Sequence, residues 1–123
     1  MKFRYARHTN DLNSIINFYT KIIGLEKLGA FKNHSYYNGV FLGFPNKDWH
    51  IEFTESNEEA LHIPDDDDLI VLYLESIEKI DEIKERAQKL KIFPVKSKNP
   101  YWCLNGIEFK DPDGYGVVLT LER

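Results

Sequence analysis

The chain is poor in the residues that carry the most recognisable chemistry. It holds one cysteine, Cys103, one methionine and four histidines. A lone cysteine closes no internal disulfide, and no metal-type Cys spacing exists, so the reading is a reducing, cytoplasmic setting. Cys103 also lacks a local catalytic partner, and no strand–turn–helix elbow supports a serine nucleophile. His8, His34, His50 and His62 show no metal-binding spacing and can meet only through the fold. The run Asp65-Asp66-Asp67-Asp68 lacks the alternating ligands and glycine of a calcium loop, which leaves a solvated linker. No stretch of 18 apolar residues exists, so no membrane partner is expected. Residues 1–10 are charged and alternating, unlike an apolar signal segment. A net charge of −4, with both signs mixed, leaves no basic stripe for nucleic acid.

What is present suffices for one ordinary domain. Of the 123 residues, 42% are hydrophobic and 14% aromatic, and Gly and Pro are too few for a disordered chain. Residues 2–8 alternate and predict a strand. Asn10 or Asp11 caps a helix over 11–23, with Leu12, Ile15, Ile16, Tyr19, Ile22 and Ile23 on its apolar face and Gly24 as its stop. Strands follow at 26–31, 36–44 and 49–55. A polar stretch, 56–68, interrupts the pattern.

The same order then recurs. Residues 69–74 read as a buried strand, and Ser76 caps a helix from Ile77 to about Lys91 with Ile77, Ile80, Ile83, Ala87 and Leu90 as its stripe. Strands at 93–97, 102–109 and 116–122 complete the half, the first irregular because of Pro94. The fold class is therefore α+β: two βαβββ modules, 1–56 and 68–123, joined by a linker over 57–67. Their paired sheets would form a concave mixed-sheet cleft. A plain α+β sandwich without that cleft is the other architecture compatible with the pattern.

Two motifs sharpen this. Phe109-Lys110-Asp111-Pro112-Asp113-Gly114-Tyr115 precedes the apolar run Gly116-Val117-Val118-Leu119-Thr120-Leu121. Near the N-terminus stand Asn10-Asp11-Leu12, Phe18-Tyr19 and Ile23-Gly24-Leu25. In this order the chain resembles the vicinal oxygen chelate superfamily, which includes glyoxalase I, extradiol dioxygenases and bleomycin-binding proteins. The stretch Ala6-Arg7-His8-Thr9-Asn10-Asp11-Leu12 with Asn99-Pro100-Tyr101-Trp102 is similar to a bacterial subgroup of it that has no firmly assigned reaction. The resemblance implies four metal-ligand positions, which fall at Arg4, Glu52, Leu69 and Val118. Only Glu52 is a ligand type: a guanidinium repels a cation, and Leu and Val have no donor atoms. His50 shares the face of Glu52, which leaves a two-ligand site open. The expectation is no metal and no cofactor.

Strand parity agrees with those positions. It places Arg4, Ala6 and His8, then His50, Glu52 and Thr54, then Val71 and Tyr73, then Val118 and Glu108, on the concave side. Phe3, Tyr5, Ile51, Phe53, Ile70, Leu72, Leu74, Ile107, Phe109, Val117, Leu119 and Leu121 then belong to the core. Arg4 and Glu52 should lie close enough for a bidentate contact, either as a ligand anchor or as a structural salt bridge.

The function reading is a metal-independent small-molecule-binding protein of the glyoxalase/bleomycin-resistance type, sequestering a drug or metabolite, and by the resemblance a homodimer. Its ligand-binding candidates are Arg4, His8, Glu52, Tyr73 and Glu108, with Trp102 and Tyr36 as aromatic walls. The alternatives are a lyase, isomerase or dioxygenase with a degenerate metal site, an acid/base enzyme with Glu52 as base and His8 as acid, or an interaction module with a vestigial cleft.

Overall fold

The alternation at the N-terminus becomes strand β1 (Phe3–His8) in the computed structural model, which describes residues 1–122. The chain divides into two compact units, Met1–His62 and Ile63–Arg123. In the first, Asp11 caps helix α1 (Leu12–Asn17): its carboxylate accepts from the Ser14 N–H at 3.1 Å and the Ser14 hydroxyl at 2.6 Å. These bonds, the side-chain one first, hold the Asp11 carboxyl below its ordinary pKa.

The helix expected over 11–23 does not continue as one α-helix. Phe18–Ile23 is wound as a π-helix, and the Gly24 and Leu25 N–H groups both donate to the Tyr19 carbonyl, at 3.1 and 2.9 Å. The wider turn keeps Phe18, Tyr19, Ile22 and Ile23 all buried. Gly24 ends it at φ 93°, a left-handed conformation that suits glycine.

Strands β2 (Glu26–His34), β3 (Tyr37–Gly43) and β4 (Trp49–Glu55) complete a four-stranded sheet in the order β1-β4-β3-β2. β1 runs parallel to β4, and the other pairs are antiparallel. Val40, Leu42, Ile51 and Phe53 are buried with Ile15, Tyr19 and Ile22, and the Tyr19 ring stacks on Phe53 at 5.0 Å.

One expectation about this face fails. Phe3 is 60% and Tyr5 39% exposed, whereas Arg7 is buried. β1 is an edge strand, so the core covers only its C-terminal part. There the Arg7 guanidinium lies over the Phe53 ring at 5.3 Å, a favourable contact for a cation. Part of the polar stretch is also held to this unit. The Asn10 amide accepts from the Ala60 N–H at 2.7 Å and donates to the Ala60 carbonyl at 3.0 Å, and Ala60 is buried.

The second unit has strands β5 (Leu69–Leu74), β6 (Ile107–Lys110) and β7 (Gly116–Leu121) in the order β5-β7-β6, with β5 parallel and β6 antiparallel to β7. Ser76 caps helix α2 (Ile77–Lys89), accepting from Lys79 N–H at 3.3 Å. Of its apolar stripe, Ile80, Ile83 and Ala87 are buried, while Ile77 and Leu90, at its ends, are exposed. The fold is α+β, with helices segregated from two mixed sheets.

Here the sequence reading needs two corrections. The strand expected at 93–97 contracts to an isolated bridge, Val95 to Glu108. The strand expected at 102–109 starts only at Ile107, because residues Pro100–Asn105 form helix α3. Asn99 caps it by accepting from Tyr101 N–H at 3.0 Å, and Pro100 occupies the first turn, where no N–H is needed. Between β6 and β7, Asp111 accepts from the N–H groups of Asp113 and Tyr115, and Gly114 adopts φ 93°, so the Asp-Pro-Asp-Gly motif is a closed hairpin turn.

Candidate functional site

Strand register assembles a charged and aromatic cluster on the less buried face of the first sheet. Arg4 pairs with His50, Ala6 with Glu52, and Phe41 with Glu52. The Arg4 Nε–H donates to His50 Nε2 at 2.8 Å. Its Nη1 lies 3.6 Å from Glu52 Oε1, with the Arg4 side chain half exposed and Glu52 mostly buried. The expected closeness of Arg4 and Glu52 is present, but as one long contact and not a bidentate pair. The guanidinium also lies over the Phe41 ring at 4.9 Å. The Nε–H bond to an imidazole orients Arg4, and its ion pair with Glu52 is the long contact at 3.6 Å.

His50 must present a lone pair at Nε2 to accept that bond. Burial of the ring, then the positive charges of Arg4 and Lys2, lower its pKa below the ordinary imidazole value, and Glu52 opposes them. A neutral His50 is thus matched to a cationic Arg4.

Phe31 and Phe41 extend the cluster, with ring centroids 5.8 Å apart. Gly39 makes room for Phe31: a Cβ there would lie 2.3 Å from the ring. The sequence reading missed both phenylalanines as site candidates. Their signal was the alternation of Gly39, Phe41 and Gly43 along one face of β3.

The remaining candidates are dispersed. His8 lies on the same face, with Nε2 2.9 Å from the Ser56 hydroxyl and its ring 6.1 Å from Tyr37. Tyr36 stands 79% exposed at the β2–β3 turn, where Ser35 and Tyr36 both take positive φ, 53° and 71°. Tyr73 is exposed on β5.

Glu108 departs from the expectation of an open anchor. It is 2% exposed, accepts from the Ser97 hydroxyl at 2.8 Å, and pairs with Lys110 at 3.1 Å. Lys110 also approaches Asp66 at 3.5 Å. Burial disfavours the Lys110 charge, but Glu108 and then Asp66 outweigh it and raise its pKa. Trp102 is part of α3 and not of a strand. With Ser97, Cys103 and Glu108 it lines a recess of ≈ 220 Å³. The Cys103 thiol donates to the Ser97 carbonyl at 3.0 Å.

The four implied ligand positions do not suit a divalent cation. Arg4 is a cation that already donates to His50, the neighbour that would have to supply a lone pair. Val118 is fully buried and Leu69 partly so, and both are hydrocarbon. Among the described residues no three His, Cys, Asp or Glu side chains form a metal-holding group.

Residues 3–54 match the YycE-like N-terminal domain and residues 67–120 the YycE-like C-terminal domain. YycE of Bacillus subtilis (strain 168) is 35% identical over 119 residues, spanning 96% of this chain and 86% of that protein. The chain belongs to the YycE-like family. It is accordingly a member of the vicinal oxygen chelate superfamily. The crystal structure of a Bacillus subtilis YycE protein of unknown function superposes with a TM-score of 0.89, at 34% identity, over 99% of this chain and 90% of that one. Glyoxalase I of Leishmania major shares the fold, with a TM-score of 0.74 at 22% identity over 97% of this chain and 84% of the enzyme. So does a mutant of the fosfomycin resistance protein FosX of Listeria monocytogenes, in complex with Mn(II), with a TM-score of 0.74 at 19% identity over 98% of this chain and 90% of that protein. No helix among the described residues is long and apolar enough to cross a membrane.

Proposed function

We propose that this YycE-like protein is a metal-independent small-molecule-binding protein, which sequesters a drug or metabolite. The carrying observation is Arg4: its Nε–H is committed to His50 at 2.8 Å, so the position nearest Glu52 is filled by a fixed positive charge. Such a charge supplies an anchor for a ligand without any bound ion. The aromatic rings of Phe31 and Phe41 beside it supply apolar surface. His8 and Tyr36 belong to the same proposal as further contacts; within the second unit, Tyr73 and Trp102 are proposed as contacts on that unit's own surface, with Glu108 as a buried support. The reading extends to a single domain built from both modules, a homodimer and a cytoplasmic setting. The largely exposed aliphatic side chains of Leu61 and Ile63 support association, and the free Cys103 supports a reducing compartment.

An enzymatic reading with Glu52 as base and His8 as acid has weaker support. Each already has another partner, Arg4 for Glu52 and Ser56 for His8. The test is twofold. Elemental analysis of dialysed protein should find less than about a tenth of an equivalent of Ni, Zn, Fe or Mn. A thermal-shift screen of small molecules should raise the melting temperature for some compound, because a ligand of the folded state stabilises it. A full equivalent of a divalent ion retained through dialysis overturns metal independence, and a screen without any hit overturns binding.

A further inference from the structure

We propose that the face carrying Arg4, Phe41 and Phe31 takes a small molecule with an oxyanion, a carboxylate in the simplest case, attached to a flat apolar body. This rests on reading that face as a ligand-binding surface, and it names the ligand's chemistry.

The charge argument comes first. Arg4 spends its Nε–H on a neutral imidazole, which fixes its orientation without cancelling its charge. Its Nη1 pairs with Glu52 at 3.6 Å, longer than a hydrogen bond, so a ligand oxygen at ordinary hydrogen-bond distance would be the closer partner of the fork. Lys2 adds a second positive charge that acts on His50. Arg4 and Lys2 act on His50 as positive charges, opposed by Glu52, in a chain whose net charge is −4. An anion is therefore drawn to this patch against the overall field. A planar fork matches the two oxygens of a carboxylate.

Geometry supplies the second half. The guanidinium stacks over Phe41 at 4.9 Å, and Phe41 continues into Phe31 at 5.8 Å. Gly39 lets the Phe31 ring settle against the strand, since a Cβ there would overlap the ring. His50 meets the Phe41 ring edge-on at 5.7 Å. The anion-binding group and an aromatic surface are thus adjacent on one face of a single sheet. An aromatic acid satisfies both at once, whereas a neutral aromatic leaves the fork unmatched and a bare anion leaves the rings bare.

The test uses a matched pair of probes, 2-naphthoate and 2-naphthamide, titrated by NMR or calorimetry into the full-length protein. Wild type should bind the acid at least about tenfold more tightly than the amide, with dissociation constants at or below about 1 mM. Arg4→Met should bring the two within about twofold, and Arg4→Lys, which keeps charge but loses the fork, should fall between. Circular dichroism establishes that each variant is folded. Equal binding of acid and amide to wild type, retention of the preference in Arg4→Met, or no binding of either at about 10 mM each overturns the proposal. Screening hits that are neutral or cationic and indifferent to Arg4→Met would sink the oxyanion class alone. A screen without hits would sink the binding function itself.

Discussion

The Nε–H of Arg4 points at the Nε2 lone pair of His50 across 2.8 Å, so a permanent cation and a titratable ring share one hydrogen bond. The bond exists only while His50 is neutral. The folded protein lowers the His50 pKa, through burial of the ring first and then Arg4 and Lys2. The unfolded chain thus binds the proton more readily than the folded one. Stability from this pair is fully present above the ordinary imidazole value of about 6.5 and is lost as pH falls through the lower, folded pKa. The His50 ring resonances should titrate below that ordinary value in an NMR pH series. Arg4→Met should move their midpoint upward, and an unchanged midpoint would show that Arg4 does not act on the ring.

Gly39 should not tolerate a methyl group beside Phe31. The added Cβ would sit 2.3 Å from the ring, so the ring must leave or the strand must shift. Gly39→Ala should destabilise by about 1–3 kcal/mol in urea unfolding, as overpacking does. Because Phe31 is the obstacle, adding Phe31→Ala should recover much of that loss relative to Phe31→Ala alone. Additive effects in this double-mutant cycle would place the strain elsewhere.

Lys110 is the partner that makes a buried Glu108 tolerable, together with Ser97. Lys110→Met strands the carboxylate and should cost about 1–3 kcal/mol. The double substitution Glu108→Gln with Lys110→Met should cost less than Lys110→Met by itself, since the amide needs no counter-charge. Chemical denaturation of wild type and the two variants decides it.

Tyr36 holds a left-handed backbone, φ 71°, with its side chain in solvent. That conformation costs an L-residue about 1–2 kcal/mol. Tyr36→Gly should therefore raise stability by up to about that amount, because little packing is lost. If Tyr36 is a ligand wall, the same variant should bind ligand more weakly while melting higher. A variant that melts higher and binds equally well removes Tyr36 from the site.

How much was legible in the sequence follows from which forces act locally. In β7 parity did not sort the residues by burial: Val118 and Thr120, read as concave, are buried with Val117 and Leu119, while Leu121, read as core, is exposed. Asp11, Gly24 and Ser76 marked helix ends through hydrogen bonds and left-handed geometry that only neighbours in sequence determine. The closeness of Arg4 and Glu52 was also readable, through family position and parity. Trp102 misled, since aromatic residues favour strands, and the Asn99-Pro100 helix start counted for more. The exposure of Phe3 depends on β1 lying at a sheet edge, and the burial of Glu108 on Ser97 and Lys110 closing round it, neither visible from periodicity. The Arg4–His50 bond joins adjacent strands in a register that is a property of the paired sheet, which is why His50 was read as a spare ligand and not as the acceptor that holds Arg4.

The π turn at Phe18–Ile23 also bears on ancestry. A ring closed five residues apart accommodates one residue more than the α-helical ring it replaces. Lineages can gain or discard that extra residue while keeping the buried side chains and the terminating glycine. Alignment gaps among relatives should gather there and spare α2, whose regular ladder holds no surplus.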